Sequence, residues 1–148
     1  MGTVREVIES KANGNELRST PPGATVLDAV EQMCRAHVGA LLVMDRTIPV
    51  GIVSERDVMT RGLLKHRSPE ATSVAGVMTR EVVCIEAEAE VEEAMAVMTH
   101  RRCRHLPVVE DGKVVGMISI GDLVRWMSHQ QEYELKLLHD YVEGRYPG

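Results

Sequence analysis

Two serine–aspartate pairs in this sequence have a spacing that can begin a helix or bind an anion. Ser54 precedes Asp57 by three residues and Ser119 precedes Asp122 by three, each after an apolar run that starts with glycine. The N-terminus of a helix attracts a phosphate through free N–H groups and the helix dipole. The serine hydroxyl can reach that phosphate, and the aspartate can accept hydrogen bonds from both vicinal hydroxyls of a ribose. The same pattern is also a capping box, which only starts a helix. The two interpretations are compatible.

Both pairs belong to an internal repeat, which has to be recognised before single motifs are interpreted. Gly51–Asp57 (GIVSERD) recurs as Gly116–Asp122 (GMISIGD), an offset of 122 − 57 = 65 residues that holds back to Leu17 and Val82. Further upstream, the dipeptide at 7–8 (Val-Ile) matches the one at 77–78 (Val-Met) once five extra residues at 12–16 are allowed. The chain is therefore interpreted as a duplication with one insertion.

Each copy predicts the element order β-α-β-β-α. A capping box at Thr25 and Asp28 opens a helix whose apolar residues have i, i+3, i+4, i+7 spacing, and that stripe recurs in the second copy. We expect short strands at Leu17–Thr20 and Val82–Ile85, hairpins joining Ala40–Met44 to Val50–Val53 and Leu106–Val109 to Val114–Ile118, turns around Thr47-Ile48-Pro49 and at Glu110–Lys113, and helices from near Glu55 and near Ile120.

The predicted fold class is α+β, with two pseudo-twofold related repeats packed through their sheets. The repeats are placed at 1–66 and 67–148, with a linker near Lys65–Thr72. A copy of about 60 residues buries too little surface to be more than marginally stable by itself, which favours two copies folding together.

Composition and charge exclude several classes of protein. The 148 residues are 44% hydrophobic and 26% charged, close to ordinary globular usage. A net charge of −5 and a pI of about 5.7 make a nucleic-acid duplex a poor partner. No apolar run reaches the ~18 residues that a membrane span needs, and no secretory signal core is visible. Three cysteines without a C-x-x-C pair favour a reducing cytoplasmic setting.

Taken together and in order, the motifs resemble a tandem pair of cystathionine-β-synthase (CBS) domains, the arrangement called a Bateman module. The resemblance covers nearly the whole chain and rests on GIVSERD at 51–57, VMT at 77–79, RHLPVV at 104–109 and GMISIGD at 116–122. The tail at 134–146 looks like that of small stand-alone members of the family. The resemblance implies two pseudo-symmetric nucleotide sites in a cleft between the repeats.

The resemblance also implies roles for individual residues. In the first site, Asp57 would hold a ribose and Ser54 and Arg56 a phosphate, with Met78, Thr79, Val83, His105 and Pro107 near the adenine. In the second site, Asp122 would hold the ribose, while Ser119 and the Gly121 N–H would hold a phosphate. The base would be lined by Lys11, Val38, Gly39 and Ala40, and Arg104 and His105 would lie near the phosphates. Met117 and Ile120, which belong to the same motif as Asp122, are also counted among the residues of this site. The sequence departs from the family pattern in having Leu42 where proline is common, and in having uncharged Gly121 where the first repeat has Arg56.

One dense basic cluster occurs, HRRCRH at 100–105. Its first residues are typical of a solvated helix end, where cations are favoured, while Arg104 and His105 begin the next strand and are predicted to face the ligand. The spacing of its histidines does not favour a metal site. Cys34 and Cys84 are predicted to be buried small apolar residues, and Cys103 beside arginines could have a lowered pKa.

These patterns predict a non-enzymatic regulatory module that binds an adenosine nucleotide (AMP, ADP, ATP or NAD(H)) without needing a metal, and that modulates an unidentified protein partner. No Ser/His/Asp set, Cys/His set or carboxylate pair suited to catalysis is visible. The alternative is a ligand-independent dimerisation or scaffold domain. A homodimer is expected in either case, because the last helix continues an apolar stripe past Asp122 that one module cannot cover: Leu123, Val124, Met127, Leu135, Leu138 and Val142. All four aromatic residues, Trp126, Tyr133, Tyr141 and Tyr146, lie on or beyond that helix.

Overall fold

The computed structural model describes residues 2–11 and 17–142, with side chains described up to residue 139. The insertion at 12–16 and the side chains of Tyr141, Val142 and Tyr146 lie outside the described residues. The elements in chain order are α1 (Val4–Glu9), β1 (Ser19–Thr20), α2 (Val26–Ala36), β2 (Ala40–Asp45), β3 (Ile48–Ser54), α3 (Glu55–Asp57), β4 (Ile85–Glu86), α4 (Val91–Arg101), β5 (His105–Glu110), β6 (Lys113–Ser119) and α5 (Ile120–Val142). The fold is α+β with two three-stranded sheets, as predicted.

The chain divides into two compact units. One runs from Leu17 to Cys84, and the other combines the described residues up to Lys11 with those from Ile85 onward. The predicted repeat boundary at residue 66 counts residues 2–11 with the first copy, whereas these residues pack with the second copy. The segment that precedes each copy's first strand therefore packs in the unit of the other copy.

In the first unit, β2 pairs parallel to β1 and antiparallel to β3. Helix α2 starts at the predicted capping box, where Thr25 Oγ1 accepts the Asp28 N–H at 3.1 Å and Asp28 Oδ2 accepts the Thr25 N–H at 3.3 Å. The predicted stripe of α2 packs on the sheet and on the segment after the linker. The buried members of this core are Val26, Ala29, Met33, Leu41, Val43, Val53, Val74, Val77 and Met78.

The helix that follows β3 is short and irregular. Its α-helical residues Glu55–Asp57 continue into a π-helical turn at Val58–Gly62 and a 3-10 turn at Leu63–Lys65. The helix stops at His66, whose left-handed φ of 57° cannot continue a right-handed helix. Its counterpart α5 continues for 23 residues, so the predicted difference in length between the two helices is confirmed.

In the second unit, β5 pairs parallel to β4 and antiparallel to β6. The N-terminal helix α1 joins this unit through backbone hydrogen bonds, from Val4 N–H to the Ala89 oxygen and from Arg5 N–H to the Ala87 oxygen, both 2.9 Å. Burial of Val4 and of the apolar residues at 7 and 8 then holds α1 against the unit.

The hairpin predictions are confirmed for the second copy and corrected in the first. Asp111 and Gly112 have φ of 52° and 76°, the left-handed pair that a two-residue turn requires. In the first copy the turn is not at Thr47-Ile48-Pro49 but one position earlier, because Arg46 takes the left-handed φ of 59° and residues 48 and 49 already belong to β3.

The predicted outer strands are too long. Only Ser19–Thr20 of Leu17–Thr20 and only Ile85 of Val82–Ile85 are in strands. Residues 82–84 have strand-like composition, but the parallel pairing with β5 starts at Ile85. Strand propensity without a pairing partner does not make a strand.

The predicted burial of Cys34 and Cys84 is wrong. Cys34 and Cys84 are exposed, not buried, because Cys34 lies outside the buried stripe of α2 and Cys84 precedes β4. Burial raises the pKa of the Cys103 thiol, and the nearby Arg101 charge does not overcome it, so the pKa is not lowered as the sequence suggested. Within the described part of the chain, no helix is long and apolar enough to cross a membrane.

Candidate functional site

Both serine–aspartate pairs form capping boxes where a strand passes directly into a helix. At the end of β3, Asp57 Oδ2 accepts the Ser54 N–H at 3.0 Å, and Ser54 Oγ accepts the Asp57 N–H at 3.2 Å. At the end of β6, the matching distances between Ser119 and Asp122 are 2.8 and 3.1 Å. The capping interpretation is therefore confirmed at both junctions. The binding interpretation stays a prediction, because the second oxygen of each carboxylate does not take part in the cap.

The Asp57 carboxylate is 7% exposed, and among the described residues its hydrogen-bond donors are neutral groups. Thr79 Oγ1 donates to Oδ1 at 3.0 Å, while Ser54 donates to Oδ2 from its backbone and from its hydroxyl, the latter at 3.1 Å. Arg56, predicted to hold a phosphate, is exposed. The structure thus brings together Asp57, Ser54 and Thr79 of the predicted first site.

Thr79 reaches Asp57 because the segment at 77–79 lies directly on β3. Ile52 and Thr79 exchange backbone hydrogen bonds of 2.9 and 2.8 Å. A Cβ atom at Gly51 would lie 2.8 Å from both the Thr79 oxygen and the Met78 sulfur, so only glycine allows this approach. Arg61, which the sequence did not single out, donates to the Met78 oxygen at 2.8 Å and so also holds this segment.

The Asp122 carboxylate is equally buried, at 8% exposed, but its side-chain partners include two cations. Lys11 Nζ lies 3.1 Å from Oδ2 and Arg125 Nη2 donates to Oδ1 at 2.8 Å. Burial by itself raises the pKa of this carboxyl, but the Ser119 N–H and the Lys11 ammonium outweigh it and hold the pKa below its ordinary value. Arg125 supplies the charge that Gly121 lacks, and its i, i+3 spacing from Asp122 was a signal that the sequence offered.

Lys11 is held in place by the packing of α1 on β6. Its Nζ also donates to the Met117 oxygen at 2.9 Å. A Cβ atom at Gly116 would lie 3.1 Å from Cδ1 of Ile8, so glycine again allows a close approach to the strand. On the same helix Arg5 bridges Glu88 and Glu110, and these hydrogen bonds raise the pKa of the Arg5 guanidinium and lower that of the Glu110 carboxyl.

Most of the remaining predicted residues lie beside the junction of the unit to which they belong. The Gly39 oxygen accepts the Glu55 N–H at 3.0 Å, which puts the turn containing Val38 and Gly39 beside the start of α3. The Arg104 oxygen accepts the Ile120 N–H at 2.9 Å in the same way. The cross-strand partners are Ala40 with Ser54, His105 with Ser119, and Pro107 with Met117. The parts of Val38, Gly39, Ala40 and Val83 in base recognition, and of His105 and Pro107 in the first site, stay predictions.

Buried carboxylates beside helix N-termini can accept hydroxyl hydrogen bonds, and the adjacent N–H groups and cations can hold an anion. Among residues 2–11 and 17–142, no three histidine, cysteine, aspartate or glutamate side chains are grouped to hold a metal ion.

Comparison with known sequences decides the family. The sequence model of the CBS domain matches residues 4–63 and again 74–129. This chain belongs to the CBS domain family. It is a tandem pair, and the two matches cover both serine–aspartate junctions.

Relatives and solved structures agree with this assignment. The mitochondrial CBS domain-containing protein CBSX3 of Arabidopsis thaliana is 38% identical over 97% of this chain and 73% of its own length. The chain spans only 20% of another Arabidopsis relative, CBSCBSPB3, with 36% identity over 80% of this chain. A Burkholderia ambifaria protein, whose name provisionally assigns it to signal transduction, has 40% identity, a TM-score of 0.82 and coverage of 85% of this chain and 93% of its own. A hexameric CBS-CP12 protein from bloom-forming cyanobacteria has 25% identity, a TM-score of 0.74 and coverage of 83% and 70%.

Proposed function

We propose that this CBS pair is a non-enzymatic regulatory module that binds adenosine nucleotides, AMP, ADP, ATP or NAD(H), at the Asp57 and Asp122 junctions. Binding of the nucleotide would change the free energy with which the module binds a protein partner, by the 1–3 kcal/mol that is typical of coupling between two sites. The chemistry of both junctions supports a ligand that carries a sugar diol and a phosphate.

One observation carries the proposal. Two carboxylates, 7% and 8% exposed, lie at pseudo-equivalent strand-to-helix junctions, although a cap serves its purpose as well at the surface. Burial of a carboxylate has a desolvation cost that capping alone does not require. A ribose diol would use the acceptor capacity of these oxygens, and its phosphate would meet the N–H groups of the helix start.

Isothermal titration calorimetry with AMP and ATP tests the proposal on wild type, Asp57→Asn, Asp122→Asn and the double variant. Each single variant is expected to weaken one site about ten- to a hundredfold, because charge-assisted hydrogen bonds contribute about 1.5–3 kcal/mol. Asp111→Asn is the matched control, since Asp111 is exposed in a hairpin turn whose left-handed backbone asparagine tolerates. Unchanged affinity in the double variant, or no binding by wild type, would refute the assignment.

A second function, self-association, is favoured by apolar surface on the last helix. Val124, Met127, Leu135 and Leu138 fall on one face of α5 and are 50%, 39%, 66% and 60% exposed. On the other unit, a groove of about 540 Å³ between α2 and α3 is lined by Val30, Met33, Cys34, His37, Val58 and Met59 among others. Surfaces of this kind usually mark an interface, and we propose that a second copy of the chain covers them.

Light scattering tests the self-association with two substitutions of similar exposure. Leu135→Lys lies on the apolar face of α5, whereas Tyr133→Lys, at 62% exposed, lies off it. A dimer that dissociates with the first substitution and persists with the second supports this interface. A monomeric wild type contradicts it, and a dimer without nucleotide affinity would leave the scaffold function standing.

A further inference from the structure

We propose that Lys11 and Arg125 lock the Asp122 junction against uncharged nucleosides, so that only a phosphorylated ligand opens it, while the Asp57 junction accepts a nucleoside without phosphate. The inference rests on the proposed function and specifies which ligands each junction accepts. It makes Lys11 a specificity-determining residue for the second site.

The hydrogen-bond acceptors of Asp122 are largely occupied. Oδ2 accepts from the Ser119 N–H at 2.8 Å and faces Lys11 Nζ at 3.1 Å, while Oδ1 accepts from Arg125 at 2.8 Å. A carboxylate offers about four acceptor positions, so one is left. A ribose diol needs two, and must therefore displace one of the two cations.

Asp57 has the same number of partners but a different kind. Beyond the Ser54 N–H, its donors are the hydroxyls of Ser54 and Thr79, at 3.1 and 3.0 Å. A hydroxyl rotates and exchanges one hydrogen bond for another without separating charges. A diol can therefore replace Thr79 at Asp57 at little cost.

The two cations at Asp122 differ in how firmly they are held. Arg125 is itself 69% exposed, but it pairs at 2.8 Å with a carboxylate that is only 8% exposed, so the pair is not an ordinary surface ion pair. Lys11 is 29% exposed and is anchored a second time, to the Met117 oxygen at 2.9 Å. A neutral nucleoside that displaces either cation offers that cation no negatively charged group in place of the carboxylate. A phosphate would accept from the third donor of the Lys11 ammonium and from the released Arg125, and so compensate for the displacement.

Calorimetry with adenosine and with AMP distinguishes the junctions, with each site studied in a variant that disables the other. We expect adenosine to bind Asp122→Asn, which keeps the Asp57 site, at least tenfold more tightly than it binds Asp57→Asn, which keeps the Asp122 site. AMP is expected to bind both variants. Equal adenosine affinities in the two variants would overturn the inference while leaving nucleotide binding intact, and failure of wild type to bind either compound would overturn the proposed function as well.

Substitution of Lys11 in the Asp57→Asn background gives effects of opposite sign on the two ligands. Lys11→Met is expected to strengthen adenosine binding about tenfold and to weaken AMP binding about tenfold, the effect of roughly one charge-assisted hydrogen bond. A purely structural role for Lys11 would weaken both ligands together, and that result refutes the lock. Lys113→Met, at the exposed first residue of β6, is the matched control. Arg125→Gln, at an exposed helix position, tests the same lock if Lys11→Met does not fold.

Discussion

The equivalent glycines of the two repeats, Gly51 and Gly116, offer a direct test of how each junction is assembled. At Gly51 an added Cβ would lie 2.8 Å from the Thr79 backbone oxygen, which cannot move without disturbing the bridge between Ile52 and Thr79. At Gly116 the nearest atom is the flexible Cδ1 of Ile8, at 3.1 Å. The same substitution should therefore have different effects in the two repeats.

The structure sets the magnitudes. Gly51→Ala overpacks a tight contact, which costs about 1–3 kcal/mol, and weakens two backbone hydrogen bonds at about 0.5–1.5 kcal/mol each. Reduced entropy of the unfolded chain returns about 0.4–1 kcal/mol. We expect a net destabilisation of about 2–3 kcal/mol for Gly51→Ala. For Gly116→Ala, rotation of Ile8 relieves the contact, and we expect a change of about 0.5 kcal/mol or less in either direction.

Urea unfolding followed by far-ultraviolet circular dichroism measures both values. At about 2–4 °C per kcal/mol for a chain of this size, Gly51→Ala should also melt about 4–12 °C lower. Gly23→Ala is the control for the intrinsic effect of the substitution, because nothing lies within 4 Å of a Cβ there and its φ is not positive. If Gly116→Ala destabilises as much as Gly51→Ala, the explanation by backbone contact is wrong.

Three further predictions concern titratable groups. Without ligand, Asp57→Asn should cost a few tenths of a kcal/mol in urea unfolding and Asp122→Asn about 1–2 kcal/mol, because an amide at 122 faces two cations with hydrogen-bond donors; equal costs would contradict the difference in partners. The pKa of Asp122 is lowered in the folded protein, so its stabilisation is complete above its ordinary pKa of 3.8 and is lost as the pH falls through the lower folded value. The stability difference between wild type and Asp122→Asn should therefore shrink below pH 3.8 and stay constant near neutrality. Alkylation by iodoacetamide at pH 7.5 should modify exposed Cys84 before Cys103, whose thiol pKa burial raises; the reverse order in peptide mapping would contradict this.

The sequence predicts the parts of the fold that are set by local rules. Capping boxes at Thr25, Ser54 and Ser119 are defined by residues three apart, and the structure forms all three. The Asp111-Gly112 turn is a local signal of the same kind. The length of a strand is different, because it depends on which residues find a pairing partner. The pairing with β5 starts only at Ile85, so the strand predicted at 82–85 is too long.

The sequence could not predict which side chains donate hydrogen bonds to the two carboxylates. Arg125 stood at helical spacing from Asp122 and could have been found, but the contact between Lys11 and Asp122 spans 111 residues, and Lys11 lies just before the insertion at 12–16 that breaks the repeat register. Its position depends on α1 packing with the second copy, which the repeat boundary does not indicate.

The structure nevertheless confirms the weak upstream match between residues 7–8 and 77–78. Ile8 contacts Gly116 as Met78 contacts Gly51, so the two segments play the same part in the two units. By that register Glu9 stands where Thr79 does, and a glutamate facing Asp122 would repel it. Lys11, two residues further on, takes over instead and replaces a neutral hydroxyl by a cation. The duplication preserved the capping box and the glycine contact, and the two copies differ in the partners of the aspartate, which by our proposal decide what a ligand must displace.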